Sequence, residues 1–138
     1  MNVAPADPLL ADYARRSWHL AAVPHDIHMW RYRVEDAAAE LGADSDVCAV
    51  AAHGVTELIS NVYKHVAPGA KCELVVEKEV AALCVRLFDT THEVPRVQTP
   101  DHLCESGRGL WLLREMADDL GYTLVPAGKW VWIRMTLH

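Results

Sequence analysis

The chain has 138 residues and 15.4 kDa, with 51% hydrophobic and 23% charged residues, enough for one domain that folds without disulfides or a structural metal. Its formal charge is −6, its pI is near 5.7 and it has no basic run, which excludes a non-specific nucleic-acid binder. No apolar run approaches the ~20 residues of a membrane span. The cysteines Cys48, Cys72, Cys84 and Cys104 stand far apart with no C-x-x-C pair, so a zinc knuckle is not expected. The first residues lack a basic segment followed by an apolar core, so no secretory leader is expected. A cytoplasmic protein with reduced thiols follows from these two readings. His25 and His28 stand one turn apart without a carboxylate or thiol cluster and read as surface or capping histidines.

Residues 1–16 carry two prolines and no periodicity, which predicts a flexible arm ahead of a single domain over 17–138. Ser17 to Val23 is short, apolar and closed by Pro24, as a strand would be. From Pro24 to Leu41 apolar residues recur at helical spacing, with Gly42 as the stop. A second helix is expected from Ser45, along the stripe Val47, Ala51, Val55, Leu58, Val62 and Val66, ending at Pro68 and Gly69. CELVVEKEV and ALCVRLFDT then alternate as an antiparallel pair turned near Val80 to Ala82. Residues 90–106 are irregular and long for a compact domain, a length typical of lids and binding loops. A third helix is expected over Leu110, Leu113, Met116, Ala117 and Leu120, stopped at Gly121. Two strands turned at Ala127–Gly128 close the chain. This order predicts an α+β fold, a mixed or largely antiparallel sheet with three helices on one face.

On the second helix His53, Glu57, Asn61 and His65 recur every four residues with Lys64 beside them, so they share one face opposite the apolar stripe. A solvated face has the same spacing. Asn, however, is a poor mid-helix residue, and a carboxylate with an amide suits a metal-bound phosphate. Mg²⁺ takes a few protein oxygens and completes its shell with phosphate oxygens and water. Glu105-Ser106-Gly107-Arg108-Gly109-Leu110 opens the third helix. Glycines there expose backbone N–H groups to an anion, or simply form a turn capped by Ser106. The segment is neither a Walker A loop nor G-x-G-x-x-G. Asp89 ends a strand at the mouth of the long loop, placed to accept from an exocyclic amine or to cap a turn. Cys104, near a helix N-terminus, offers a thiol nucleophile as a separate reading.

Together these features resemble the GHKL ATPase superfamily, and more closely its anti-sigma factor serine/threonine kinases and their actinobacterial relatives. The N-box E-L-x-x-N-x-x-x-H stands as Glu57 to His65, the aspartate motif as Val85 to Asp89, and the glycine box as Gly107-Arg108-Gly109-Leu110. The resemblance implies the two-layer α/β sandwich of the GHKL (Bergerat) ATPase. It implies Glu57 as general base and Asn61 as ligand to Mg²⁺, with Lys64 and His65 beside the phosphates of ATP. Asp89 and Thr91 would contact adenine, and Gly107, Arg108, Gly109 and Leu110 would hold phosphate. Arg31, on the first helix, falls where relatives contact a partner. The implied activity is phosphoryl transfer from Mg-ATP to a STAS-type anti-anti-sigma protein, coupled to binding of a sigma factor. Small relatives of this kind commonly work as homodimers.

Two departures stand out. Thr91 replaces the glycine that follows the aspartate in the wider superfamily, while Pro95 fits a glycine-poor form found in actinobacterial relatives. Trp130, aligned by eye, falls where the superfamily often has a Thr near the adenine. An indole there stacks on the base or fills its pocket, unless Trp130 and Trp132 are merely sheet residues on one face. The alternative function is therefore a non-catalytic interaction module that binds sigma factor or antagonist without turnover.

Overall fold

The computed structural model describes residues 14–93 and 108–138. Most of the expected arm and loop, with Pro95, Cys104 and Gly107, lies outside the described residues. The first strand, β1 (Arg15–Ala21), starts two residues before the expected domain boundary. A 3₁₀ turn with Pro24 at its first position leads into α1 (Ile27–Glu40). Gly42 follows it at φ 99°, in the left-handed region that glycine enters without a Cβ penalty. The next helix, α2 (Ser45–His65), is capped by the Asp44 carboxylate, which accepts from Val47 N at 2.9 Å. Then come β2 (Lys71–Glu79), β3 (Ala82–Asp89), α3 (Arg108–Met116), β4 (Asp119–Val125) and β5 (Gly128–Thr136).

The third helix ends earlier than expected. Leu120 keeps helical spacing with Leu113 and Met116 but belongs to β4, opposite Ile133. Asp118 causes the change: its backbone N–H donates to Arg134 O at 3.0 Å and its carboxylate accepts from Thr136 N. Both bonds tie the chain to β5 rather than to another helical turn.

The five strands form one sheet in the order β1-β2-β3-β5-β4, with every neighbouring pair antiparallel. Strand alternation sorts side chains onto two faces. Leu74, Val76, Leu83, Val85, Leu87, Val131, Ile133 and Met135 point inward and form one core with Trp30, Val34, Ala38, Val55, Leu58, Ile59, Leu110 and Leu113 of the helices. Residues between them, including Arg86, Phe88, Trp130, Trp132 and Arg134, point to the other face. This is the expected two-layer α+β architecture with a fully antiparallel sheet. Among the described residues no helix is long and apolar enough to cross a membrane.

Candidate functional site

Helix α2 positions the site because it lies close to the sheet. A Cβ at Gly54 would overlap Ile133 Cδ1 on β5, so only glycine permits the helix to sit that near. One turn further, Glu57 reaches the first turn of α3: a Cβ at Gly109 would overlap its carboxylate. Glu57 and Gly109, distant in sequence, are thus brought into contact, and the space a side chain would fill holds a carboxylate at a helix N-terminus. Backbone N–H groups and the helix dipole favour negative charge there. Asn61 lies one turn beyond Glu57, half-buried, followed by exposed Lys64 and His65. One turn before Glu57 on the same face, His53 places a buried Nε2 with no hydrogen-bond partner among the described residues. Arg108 opens α3, and the Leu110 side chain is buried in the core, where it seats the helix.

The second half of the site is the end of β3. Asp89 is 1% exposed. Its Oδ1 accepts from Thr91 N at 3.0 Å and from Lys129 Nζ at 2.8 Å. Thr91 continues the turn, its hydroxyl accepting from Glu93 N at 3.2 Å. A ring nitrogen of His92 meets Val125 O at 2.8 Å, which pins the start of the loop to the β4–β5 turn. Lys129 is only 4% exposed. It stands directly opposite Asp89 in the β3–β5 register.

Lys129 corrects the by-eye placement of Trp130. Because neighbours on a strand face opposite ways, Trp130 points to the outer face, with Phe88 at 5.3 Å between ring centroids and the Arg86 guanidinium 5.1 Å from its ring. It lies on the side of the sheet away from Asp89 and neither stacks on nor fills a site there. Sequence reasoning missed Lys129, and a signal for it existed. Lys129, Val131, Ile133 and Met135 alternate as one stripe, and a lysine heading an apolar stripe is a buried charge in need of a partner.

Arg31 does not extend into solvent. Its Nη1 donates to Thr56 Oγ1 at 2.6 Å and to Ala52 O at 3.3 Å, tying α1 to α2. Met29 and Tyr32 are exposed beside it. Cys72 and Cys84 are buried free thiols. Burial first, then the Asp89 carboxylate, pushes Cys72 up to about 12. Burial and then Glu79 push Cys84 up to about 11. Neither is a nucleophile at neutral pH.

The donor set fits a Mg²⁺–nucleotide. Among the described residues no three His, Cys, Asp or Glu side chains gather, so a metal beside Glu57 and Asn61 would draw most of its ligands from phosphate and water.

The site thus sits on an antiparallel sheet under three helices, with the Glu57 carboxylate against the first turn of α3. The chain belongs to the histidine kinase-like ATPase domain family, whose model matches residues 20–135. Among solved structures it is similar to the RsbU and RsbW domains of Rv1364c from Mycobacterium tuberculosis, with a TM-score of 0.64 at 15% identity. That match covers 88% of this chain and 32% of the other, so the chain spans about a third of that structure, and the likeness is one of fold. No protein of curated function matches the sequence significantly.

Proposed function

We propose that the chain is an ATP-binding regulator that phosphorylates a serine or threonine of a STAS-type anti-anti-sigma protein and binds a sigma factor. The observation that carries this reading is the Glu57 carboxylate against the first turn of α3, with Asn61 one helical turn away. Family membership supports ATP as the nucleotide. The likeness in fold to an RsbW domain is in keeping with the regulatory class, but fold alone does not assign function.

In this reading Glu57 accepts the proton of the partner's hydroxyl as its oxygen bonds to the γ-phosphorus and ADP departs. Bound through Asn61, Mg²⁺ would neutralise charge on the phosphate oxygens. Lys64, His65 and the backbone of Gly107 to Leu110 hold the phosphates, and Asp89 with Thr91 holds adenine. The partner face is α1, where Arg31 fixes the helix and Met29 and Tyr32 offer exposed apolar contact. Phosphorylation adds roughly two negative charges to that interface and releases the antagonist. The protein acts in the cytoplasm and, like small relatives, as a homodimer.

A second reading, an interaction module without turnover, is favoured by one observation: Lys129 already sits on the Asp89 oxygen that faces it. Titration with Mg-ATP, with and without EDTA, separates the two. Under the kinase reading binding is Mg²⁺-dependent. Glu57→Ala then lowers phosphate transfer by about 10²–10⁴-fold while nucleotide affinity stays near that of wild type. Absence of heat at millimolar nucleotide would leave the interaction module as the function.

A further inference from the structure

The β3–β5 register sets Asp89 and Lys129 side by side on the helix face, and this inference rests on the nucleotide reading above. Lys129 cannot be withdrawn by a shift of its strand. Gly128 lies so near the Asp89 carbonyl that even a Cβ would overlap it. Anything that reaches Asp89 therefore meets a neutral ion pair rather than a bare carboxylate.

The pair has hydrogen-bonding capacity to spare. An ammonium carries three donors, and among the described residues the bond to Asp89 Oδ1 at 2.8 Å is the one that Nζ makes. A carboxylate offers about four acceptor sites, and among the described residues both bonds to Asp89 go to Oδ1. A buried donor thus stands beside a buried acceptor. The complement is a purine edge on which a ring nitrogen flanks an exocyclic amine.

We propose that Lys129 is a specificity-determining residue of the base pocket, its ammonium donating to the ring nitrogen beside the amine that Asp89 accepts. Two contacts then read the base, and no unpaired charge is buried when it enters. A 6-oxopurine in the same orientation sets a carbonyl against the carboxylate and, where the ring nitrogen is N1, an N–H against the ammonium, so GTP is rejected by repulsion at the Asp89 contact on either edge and at both contacts on the N1 edge.

The test is calorimetric titration of the full chain with Mg-ATP, its 1-deaza and 7-deaza analogues, and Mg-GTP. In the wild type one deaza analogue binds about 10- to 100-fold more weakly than ATP, the worth of a hydrogen bond to a charged donor. With Lys129→Met the same analogue binds no worse than ATP. Two deaza analogues that each lose less than about threefold in the wild type would overturn the proposal without any variant, which decides the matter if Lys129→Met does not fold. An equal penalty in both proteins, or tighter ATP binding by the variant, would also overturn it. Wild type that binds no nucleotide in a Mg²⁺-dependent way removes the nucleotide site itself. Binding without analogue discrimination removes only the role of Lys129.

Discussion

The two faces of β3 and β5 carry similar chemistry in opposite surroundings. Inside, one lysine meets one aspartate at 2.8 Å with side chains 5% and 2% exposed. Outside, Arg86 meets Glu77 at 3.1 Å and Arg134 meets Glu79 at 2.8 Å, each side chain roughly one-third exposed. The outer arginines also lie over indoles, Arg86 on Trp130 and Arg134 on Trp132 at 4.9 Å. An outer charge that loses its carboxylate keeps a ring and water. An inner charge that loses its partner keeps neither, because a dry interior leaves nothing else to solvate it. Equal distances therefore carry unequal energies, and exposure decides which is larger.

The largest effect expected from that contrast is on the inner pair. Lys129→Ala leaves Asp89 as a buried uncompensated charge and should cost about 3–5 kcal/mol, read as a drop in the urea midpoint at pH 7. Replacing both partners by apolar residues, as in Asp89→Leu with Lys129→Met, should recover most of it, since removing a whole buried pair is often neutral. Glu77→Ala on the outer face should cost under about 1 kcal/mol. Equal losses on the two faces would mean that the inner pair is solvated, and the contrast would fail.

Much of this was legible in the sequence where a single element carries the signal. The stripes of α1 and α2 are long and regular, and the N-box faces one way because four-residue spacing does. Asp89 was legible as a charge ending an alternating strand. What a single element cannot encode was not. The contact between Glu57 and Gly109 joins two helices far apart in sequence and depends on the close approach at Gly54. Trp130 drew attention as an aromatic near a motif, yet a slip of one residue along a strand exchanges its faces, and Lys129 takes the inner position. Leu120 shows the opposite failure: periodicity continued past the point where Asp118 bonds to β5 and ends the helix.

A smaller effect is expected from the outer aromatics. Trp130→Ala removes the Phe88 contact and the Arg86 stack, together worth about 1–2 kcal/mol. Mg-ATP affinity should stay within about twofold of wild type, because the Trp130 side chain lies on the face of the sheet away from Asp89 and Lys129. A tenfold loss of affinity with unchanged stability would bring the indole back into the nucleotide site and reverse the assignment of faces.

The smallest effect at neutral pH belongs to the thiols, one on each face. Cys72 lies inside near Asp89 and Lys129, and Cys84 lies outside near Glu79, Arg134 and Arg86. Burial is the first cause of both upward shifts. After it, one nearby cation opposes the shift at Cys72 and two oppose it at Cys84, in keeping with values of about 12 and about 11. Both stand above the ordinary value of 9.0, so the native state holds protons that the unfolded chain releases. Their contribution is complete below pH 9 and is lost as pH rises from about 9 to about 11 for Cys84 and about 12 for Cys72. Urea midpoints should therefore decline above pH 9, and the decline should be shallower in Cys72→Ala and in Cys84→Ala. Between pH 11 and 12 only the Cys72 variant should still differ in slope from wild type. Identical slopes in all three proteins would mean that water reaches both thiols, and that the inner face is no drier than the outer.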